Sequence, residues 1–215
     1  DAFFTAPDGS GRQISFEAEG KKFNSDTDAE AFLKSCLGAQ YAVSDIQIKP
    51  GKRSPAPPFT TSTLQQEASR KLGYSVSKTM LIAQKLYENG HITYMRTDST
   101  TLSDTAINAA RKQAAELYGN DHVSEAPRRY DRKVKNAQEA HEAIRPSGDV
   151  FRTPAQVSGE LGGRAFELYD LIWKRTLASQ MESAVLDQVA VDISGSGVGL
   201  RATGSVIAFD GFLKL

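Results

Sequence analysis

At 215 residues, with 40% apolar and 24% charged side chains, the chain has the make-up of a soluble globular protein and room for one large domain or two modest ones. No apolar run is long enough to cross a bilayer, and a single cysteine, Cys36, excludes an internal disulfide and a cysteine-built zinc site. A net charge of zero argues against a uniformly basic nucleic-acid binder, yet it hides a split: residues 51–148 carry 15 Lys or Arg against 10 Asp or Glu, and the remainder is acidic by the same margin.

Between Gly11 and Gly20, Ile14, Phe16 and Ala18 alternate with polar residues and predict a half-buried strand. A helix follows, because Thr27 and Glu30 have capping-box spacing, Ala31, Phe32, Leu33 and Leu37 supply an apolar side, and Gly38 stops it. Asp26, Asp28 and Glu30 then lie where acids favour the helix dipole, and they read as capping residues rather than metal ligands. Tyr41, Val43, Ile46 and Ile48 predict another strand. From Gly51 to Pro58, with Pro50, Pro55, Pro57 and Pro58, the chain reads as an extended connection and a domain boundary.

Ser62-x-x-Gln65 predicts a helix to about Leu72, stopped by Gly73, and Ser77 opens another through Met80, Leu81, Ala83 and Leu86 to Gly90. The next run, His91 to Thr100, favours β structure and then turns polar. If it is extended, Ile92, Tyr94 and Arg96 face one way and Thr93, Met95 and Thr97 the other, giving a winged-helix-like order of two helices and a strand. Tyr94 and Arg96 on one surface suit phosphoryl chemistry. An ordinary tyrosine ionises near pH 10, so it needs help to act as a nucleophile; a fixed cation stabilises the developing phenolate, and a guanidinium also clamps phosphodiester oxygens in a bidentate fork. The plain alternative is an aromatic and a basic residue on a half-exposed strand, and the Tyr-x-Arg spacing alone does not decide between them.

Ser103 predicts the N-cap of a helix with Ile107, Ala110, Ala114 and Leu117 on one side and Gly119 at its end. Arg128, Arg129, Arg132, Lys133 and Lys135 surround Tyr130 in a basic run, read either as a contact to phosphates and a base or as an exposed loop. Gln138 to Ile144 is expected as a short helix ended by Pro146, aligning Gln138, His141 and Arg145 on one face. Leu161 to Met181 predicts a helix whose Phe166, Tyr169, Ile172, Trp173 and Leu177 pack in a core. Val185 to Ile193 and Leu200 to Ala208 predict strands joined by a turn at Ser194-Gly195-Ser196-Gly197, whose glycines open no helix and so form no phosphate loop. His91, His122 and His141 have no metal-ligand spacing. The opening Asp1-Ala2-Phe3-Phe4 shows neither a signal peptide nor an initiator methionine, so the ends are expected to be cuts within a longer protein.

Three collinear segments, Pro58 to Ser69, Ile92 to Thr100 and Gln138 to Ser147, closely resemble the active-site segments of the type IA DNA topoisomerases, the bacterial topoisomerase I group. Weaker similarity extends through most of the chain after Pro57. The resemblance implies an α+β fold with a discontinuous, strand-rich arch domain over 1–57 and 149–215 and an inserted helical, winged-helix-like domain over 58–148. It implies that Tyr94 forms a 5′-phosphotyrosine link with single-stranded DNA, that Arg96 is its catalytic partner, and that Gln84, Glu88, Thr97, Asp98, His141 and Arg145 contact DNA. Relaxation of negative supercoils without ATP, Mg²⁺ as cofactor of the full-length enzyme, and a cytoplasmic, nucleoid-associated location follow from the same resemblance.

The Mg²⁺ ligands would belong to a Toprim domain, which this sequence does not display. That domain and the segment completing the single-strand groove are therefore expected partners, alongside DNA; no metal site is expected in this chain, no membrane is implied, and the chain alone is not expected to relax DNA. The alternative reading is a non-catalytic winged-helix-type DNA-binding module in which Tyr94 merely stacks.

Overall fold

The computed structural model describes residues 2–7, 10–130, 142–195 and 197–215. In chain order the elements are β1 (Ala2–Pro7), β2 (Gln13–Ala18), α1 (Asp26–Cys36), β3 (Ala42–Arg53), α2 (Thr61–Leu72), α3 (Val76–Glu88), α4 (Asp104–Tyr118), the one-turn α5 (Pro154–Val157), α6 (Gly163–Ala178), β4 (Ala184–Gly195) and β5 (Val198–Phe209). They form two compact units, Asp1–Lys52 with Val185–Phe209, and Arg53–Ala184 with Asp210–Leu215. This is a mixed helix and strand protein with two antiparallel sheets.

The first unit holds the strands. β1 and β2 form a hairpin that places Phe4 opposite Phe16, with the rings stacked 5.7 Å apart and Tyr41 set edge-on to Phe4. The second sheet runs β3-β4-β5, and its β4–β5 hairpin stays in register from Leu186↔Ile207 to Gly195↔Val198. Gly195 is required there: a Cβ would lie 2.4 Å from the Gln40 carbonyl oxygen. A small core of Ala18, Ile193, Val198 and Leu200 is covered by Phe4, Phe16, Phe32 and Tyr41. Helix α1 starts earlier than the sequence reading has it, capped by Ser25 rather than Thr27, with the Ser25 hydroxyl accepting from the Asp28 amide at 3.2 Å.

The second unit is built on helices. α2, α3 and α4 each bury one stripe, carried by Leu64 and Ala68, by Thr79, Ala83 and Leu86, and by Ala106, Ile107, Ala110 and Ala114. α6 packs against α2, α3, α4 and α5. Its own buried face is Leu168, Tyr169, Leu171, Ile172, Trp173, Thr176 and Leu177, and each large apolar side chain there contributes about 1.5–3 kcal/mol. Polar anchors fix its register. The Trp173 indole donates to Gln113 on α4 at 2.8 Å, and the Arg175 guanidinium lies 4.2 Å from the centre of the Phe59 ring while donating to Glu67 and the Pro57 carbonyl.

The sequence reading draws the second boundary at Gly148 and leaves this helix in the strand-rich frame. The structure groups it with the helices up to Ala184, because their apolar stripes need a fourth partner and α6 supplies it. Two local expectations also change. The run after Gly90 is not a strand but makes one isolated bridge, Ile92 to Pro146; and residues 142–144, expected as helix, are extended, with Ile144 bridged to Phe59. The rest of that expected helix lies outside the described residues.

Candidate active site

The segment carrying Tyr94 is held by two threonines. On one side Thr93 donates its amide to the Arg145 carbonyl (2.9 Å) and its hydroxyl to the Ala143 carbonyl (2.8 Å), while its hydroxyl accepts from the Arg145 amide (3.0 Å). On the other side Thr61, the first residue of α2, donates its amide to the Thr97 carbonyl (2.8 Å) and its hydroxyl to the Met95 carbonyl (2.8 Å). That hydroxyl also accepts from the Thr97 amide at 2.9 Å. A run with no sheet partner is thus fixed by hydrogen bonds from both flanks, which satisfies backbone groups that burial would otherwise leave unpaired.

The consequence is a sharp inside and outside. Met95 and Thr97 are buried, whereas Tyr94, 45% exposed, and Arg96 face outward on either side of Met95. Tyr94 and Arg96 are thus both exposed, while Ile92, expected on their face, is fully buried. Among the described residues neither the Tyr94 hydroxyl nor the Arg96 guanidinium has a hydrogen-bond or ion-pair partner, which leaves both available to a ligand. Arg96, Thr61, Ser62, Thr97 and Asp98 line an open cleft of about 450 Å³ at the N-terminus of α2, where Thr60 is the cap. A cation beside a helix N-terminus favours an anion.

The other predicted residues divide. Asp98 is exposed in this cleft, and Thr97 is buried at its floor, its hydroxyl accepting from the Ser99 amide at 3.1 Å. Gln84 and Glu88 are exposed on α3 and bonded to each other at 2.8 Å, one turn apart. Between them Tyr87 sets its ring edge-to-face against Tyr94, with centroids 5.3 Å apart and planes at 69°. Tyr87 escapes the sequence reading because nothing in a seven-residue separation across Gly90 signals a ring contact. Thr61 and Thr93 escape it because their work is done by hydroxyls on distant backbone.

Arg145, expected at DNA, is instead internal. It is 9% exposed and donates through Nε and Nη2 to Glu142 (3.1 and 2.7 Å) and through Nη1 to the Pro146 and Gly148 carbonyls (2.9 and 3.2 Å). Glu142 also accepts from the Ser103 amide at 2.7 Å. Burial pushes its carboxyl upward, but the Ser103 and Arg145 bonds together outweigh that and hold it below the ordinary carboxylate value. His141, the remaining DNA-binding expectation, lies outside the described residues, as do Arg132, Lys133 and Lys135. Of the described part of that basic run, Arg128 donates to the Met181 carbonyl and to Ser183, and the Tyr130 hydroxyl to the Ser179 carbonyl, so both face the protein rather than a nucleic acid.

For a metal ion the donors are not gathered: among the described residues no three of His, Cys, Asp and Glu lie close enough to hold one. The Asp26, Asp28 and Glu30 string is occupied locally, Asp28 with Ser25 and Glu30 with Lys34 at 2.8 Å. Among the described residues no helix is long and apolar enough to cross a membrane.

A family model described as DNA topoisomerase matches residues 3–215. DNA topoisomerase 1 of Streptomyces coelicolor is 57% identical over 194 residues, covering 88% of this chain and 20% of that protein. The protein of the same name from Mycobacterium tuberculosis is 60% identical over 193 residues, covering 86% of this chain and 21% of that one. Full-length topoisomerase I from Thermotoga maritima matches in structure with a TM-score of 0.73 at 37% identity, over 99% of this chain and 35% of its own. The chain thus spans about a fifth of the length of its bacterial sequence relatives.

Proposed function

This chain belongs to the bacterial, type IA DNA topoisomerase family, and we propose that within the whole protein it supplies the tyrosine that cuts and holds a single DNA strand. The observation that carries this reading is an exposed Tyr94 and an exposed Arg96, the latter without a partner among the described residues, on a backbone pinned by Thr61 and Thr93. In the proposed step the Tyr94 oxygen attacks phosphorus and the bond from phosphorus to the 3′ oxygen breaks. The phenol proton is given up, the departing oxygen takes one to become a 3′-hydroxyl, and the 5′ end stays on the protein as a phosphotyrosine. Arg96, as a fork of N–H donors, stabilises the charge that builds on the non-bridging oxygens. The reverse displacement reseals the strand. One phosphoester is exchanged for another, so no ATP is needed, and passing a strand through the break relaxes negative supercoils.

Mg²⁺, implied for the whole enzyme, has no cradle among the described residues of this chain, so the chemistry proposed rests on the side chains present. The first unit is read as part of the arch and the second as the domain bearing the nucleophile, with single-stranded DNA and a Toprim domain elsewhere in the protein as partners in the cytoplasm. Asp98, Gln84, Glu88 and His141 are read as contacts to the same strand. The test is a covalent adduct between the full-length protein and a 3′-end-labelled single strand. Tyr94→Phe is expected to abolish the adduct while leaving strand binding intact, and a Tyr94→Phe protein that still becomes labelled would sink the assignment.

A further inference from the structure

We infer that Thr61 is a positioning residue for Arg96, acting through the backbone on both sides of it. The inference rests on the reading of Tyr94 and Arg96 given above and extends it to a side chain outside the pair. The geometry is specific. The peptide carbonyl before Arg96, on Met95, accepts from the Thr61 hydroxyl at 2.8 Å, and the Thr97 amide after it donates to the Thr61 hydroxyl oxygen at 2.9 Å. The Thr97 carbonyl accepts the Thr61 amide at 2.8 Å. One residue therefore holds three backbone groups that bracket Arg96. The arginine's own side chain has no partner among the described residues, so what the fold fixes is the backbone from which it projects.

The anchor itself is rigid. Thr61 opens α2 immediately after Thr60, whose hydroxyl caps the helix by accepting from the Thr63 amide while the Thr63 hydroxyl accepts from the Thr60 amide at 2.9 Å. Phe59, just before, is fully buried and bridged to Ile144. Thr61 also lines the cleft beside Arg96, Ser62 and Asp98, while its hydroxyl is engaged with backbone. Catalysis by a charge-stabilising group depends on its placement, and errors of about an ångström are costly.

The test uses the full-length protein and the rate of adduct formation with a 3′-end-labelled strand. Thr61→Val keeps shape and removes the hydroxyl; it is expected to slow the adduct by about tenfold or more with strand affinity unchanged. Thr61→Ser keeps the hydroxyl and is expected to stay within about twofold of the parent. In an Arg96→Ala background, Thr61→Val is expected to add nothing, because the group it positions is gone. A role confined to stability predicts instead that the two effects multiply, and that outcome overturns the proposal. So does a Thr61→Val protein as fast as the parent. A Thr61→Ser protein that melts with the parent yet has lost adduct formation overturns it even where the valine variant does not fold. Tyr94→Phe, run alongside, reports separately on the nucleophile: an adduct surviving that change refutes the underlying reading, and this one with it.

Discussion

Replacing Arg145 with alanine is expected to unsettle the second unit and to leave single-strand affinity nearly unchanged. The guanidinium makes two charge-assisted bonds to Glu142 and two more to the Pro146 and Gly148 carbonyls, and its removal leaves a partly buried carboxylate with Ser103 as its remaining partner among the described residues. Breaking a fully buried pair costs about 3–5 kcal/mol; the Glu142 side chain is 28% exposed, so water recovers part of this and about 2–3 kcal/mol is expected. Trp173 is the sole tryptophan and lies in the same unit, so urea denaturation followed by its emission reads the loss directly. Acid supplies a second check. The folded Glu142 carboxyl ionises below its ordinary value of 4.5, so its contribution is fully present above that pH and is lost as pH falls through the lower folded value. The gap between parent and variant should therefore narrow in acid. Stability within about 0.5 kcal/mol of the parent, together with a salt slope of strand binding reduced by about one, would show that Arg145 is a phosphate contact after all.

Two further substitutions test other parts of the same picture. Tyr87→Leu removes the edge-to-face partner of Tyr94, a contact worth about 0.5–1.5 kcal/mol, and should slow adduct formation in the full-length protein by up to about tenfold with little change in melting; a parent-like rate means the ring does not steer the phenol. Gly211→Ala should cost about 2–4 kcal/mol by Trp173 emission, since φ there is +49° and a Cβ would lie 2.6 Å from the Glu182 carbonyl oxygen, whereas Gly73→Ala, at φ +65° in open space, should cost only about 1 kcal/mol; equal costs would refute the steric argument.

Helical periodicity makes α2, α3, α4 and α6 legible in the sequence, yet three of the expected caps fall two residues late. Thr27, Ser62 and Ser77 are expected where Ser25, Thr60 and Ser75 do the capping. In each case an earlier hydroxyl on an extended residue accepts from a first-turn amide and takes the cap. Ser103 is placed correctly, its hydroxyl accepting from the Ala106 amide. The boundary at Gly148 fails for a different reason. Sequence order suggests that α6 returns to the strands, but helix membership is decided by which apolar faces need cover, and that is a three-dimensional property. The exposure of Tyr94 and Arg96 is legible from alternation, while its cause is not: the run joins no ladder and is held by threonine hydroxyls reaching backbone 34 to 52 residues away.

Charge is the least reliable guide to the site. The surplus of basic residues between 51 and 148 suggests a DNA-facing surface, but much of the arginine charge is already paired: Arg145 with Glu142 and Arg128 with the Met181 carbonyl and Ser183 inside the unit, Arg70 with Glu67 and Arg129 with Asp104 at its surface. A guanidinium already holding a carboxylate or backbone carbonyls must give up those bonds before it can neutralise a phosphate. Arg96 differs from these because its backbone is bracketed by Thr61 and its side chain has no competing partner among the described residues. The proposed site is marked by a cation that the fold leaves open, rather than by where cations are most numerous.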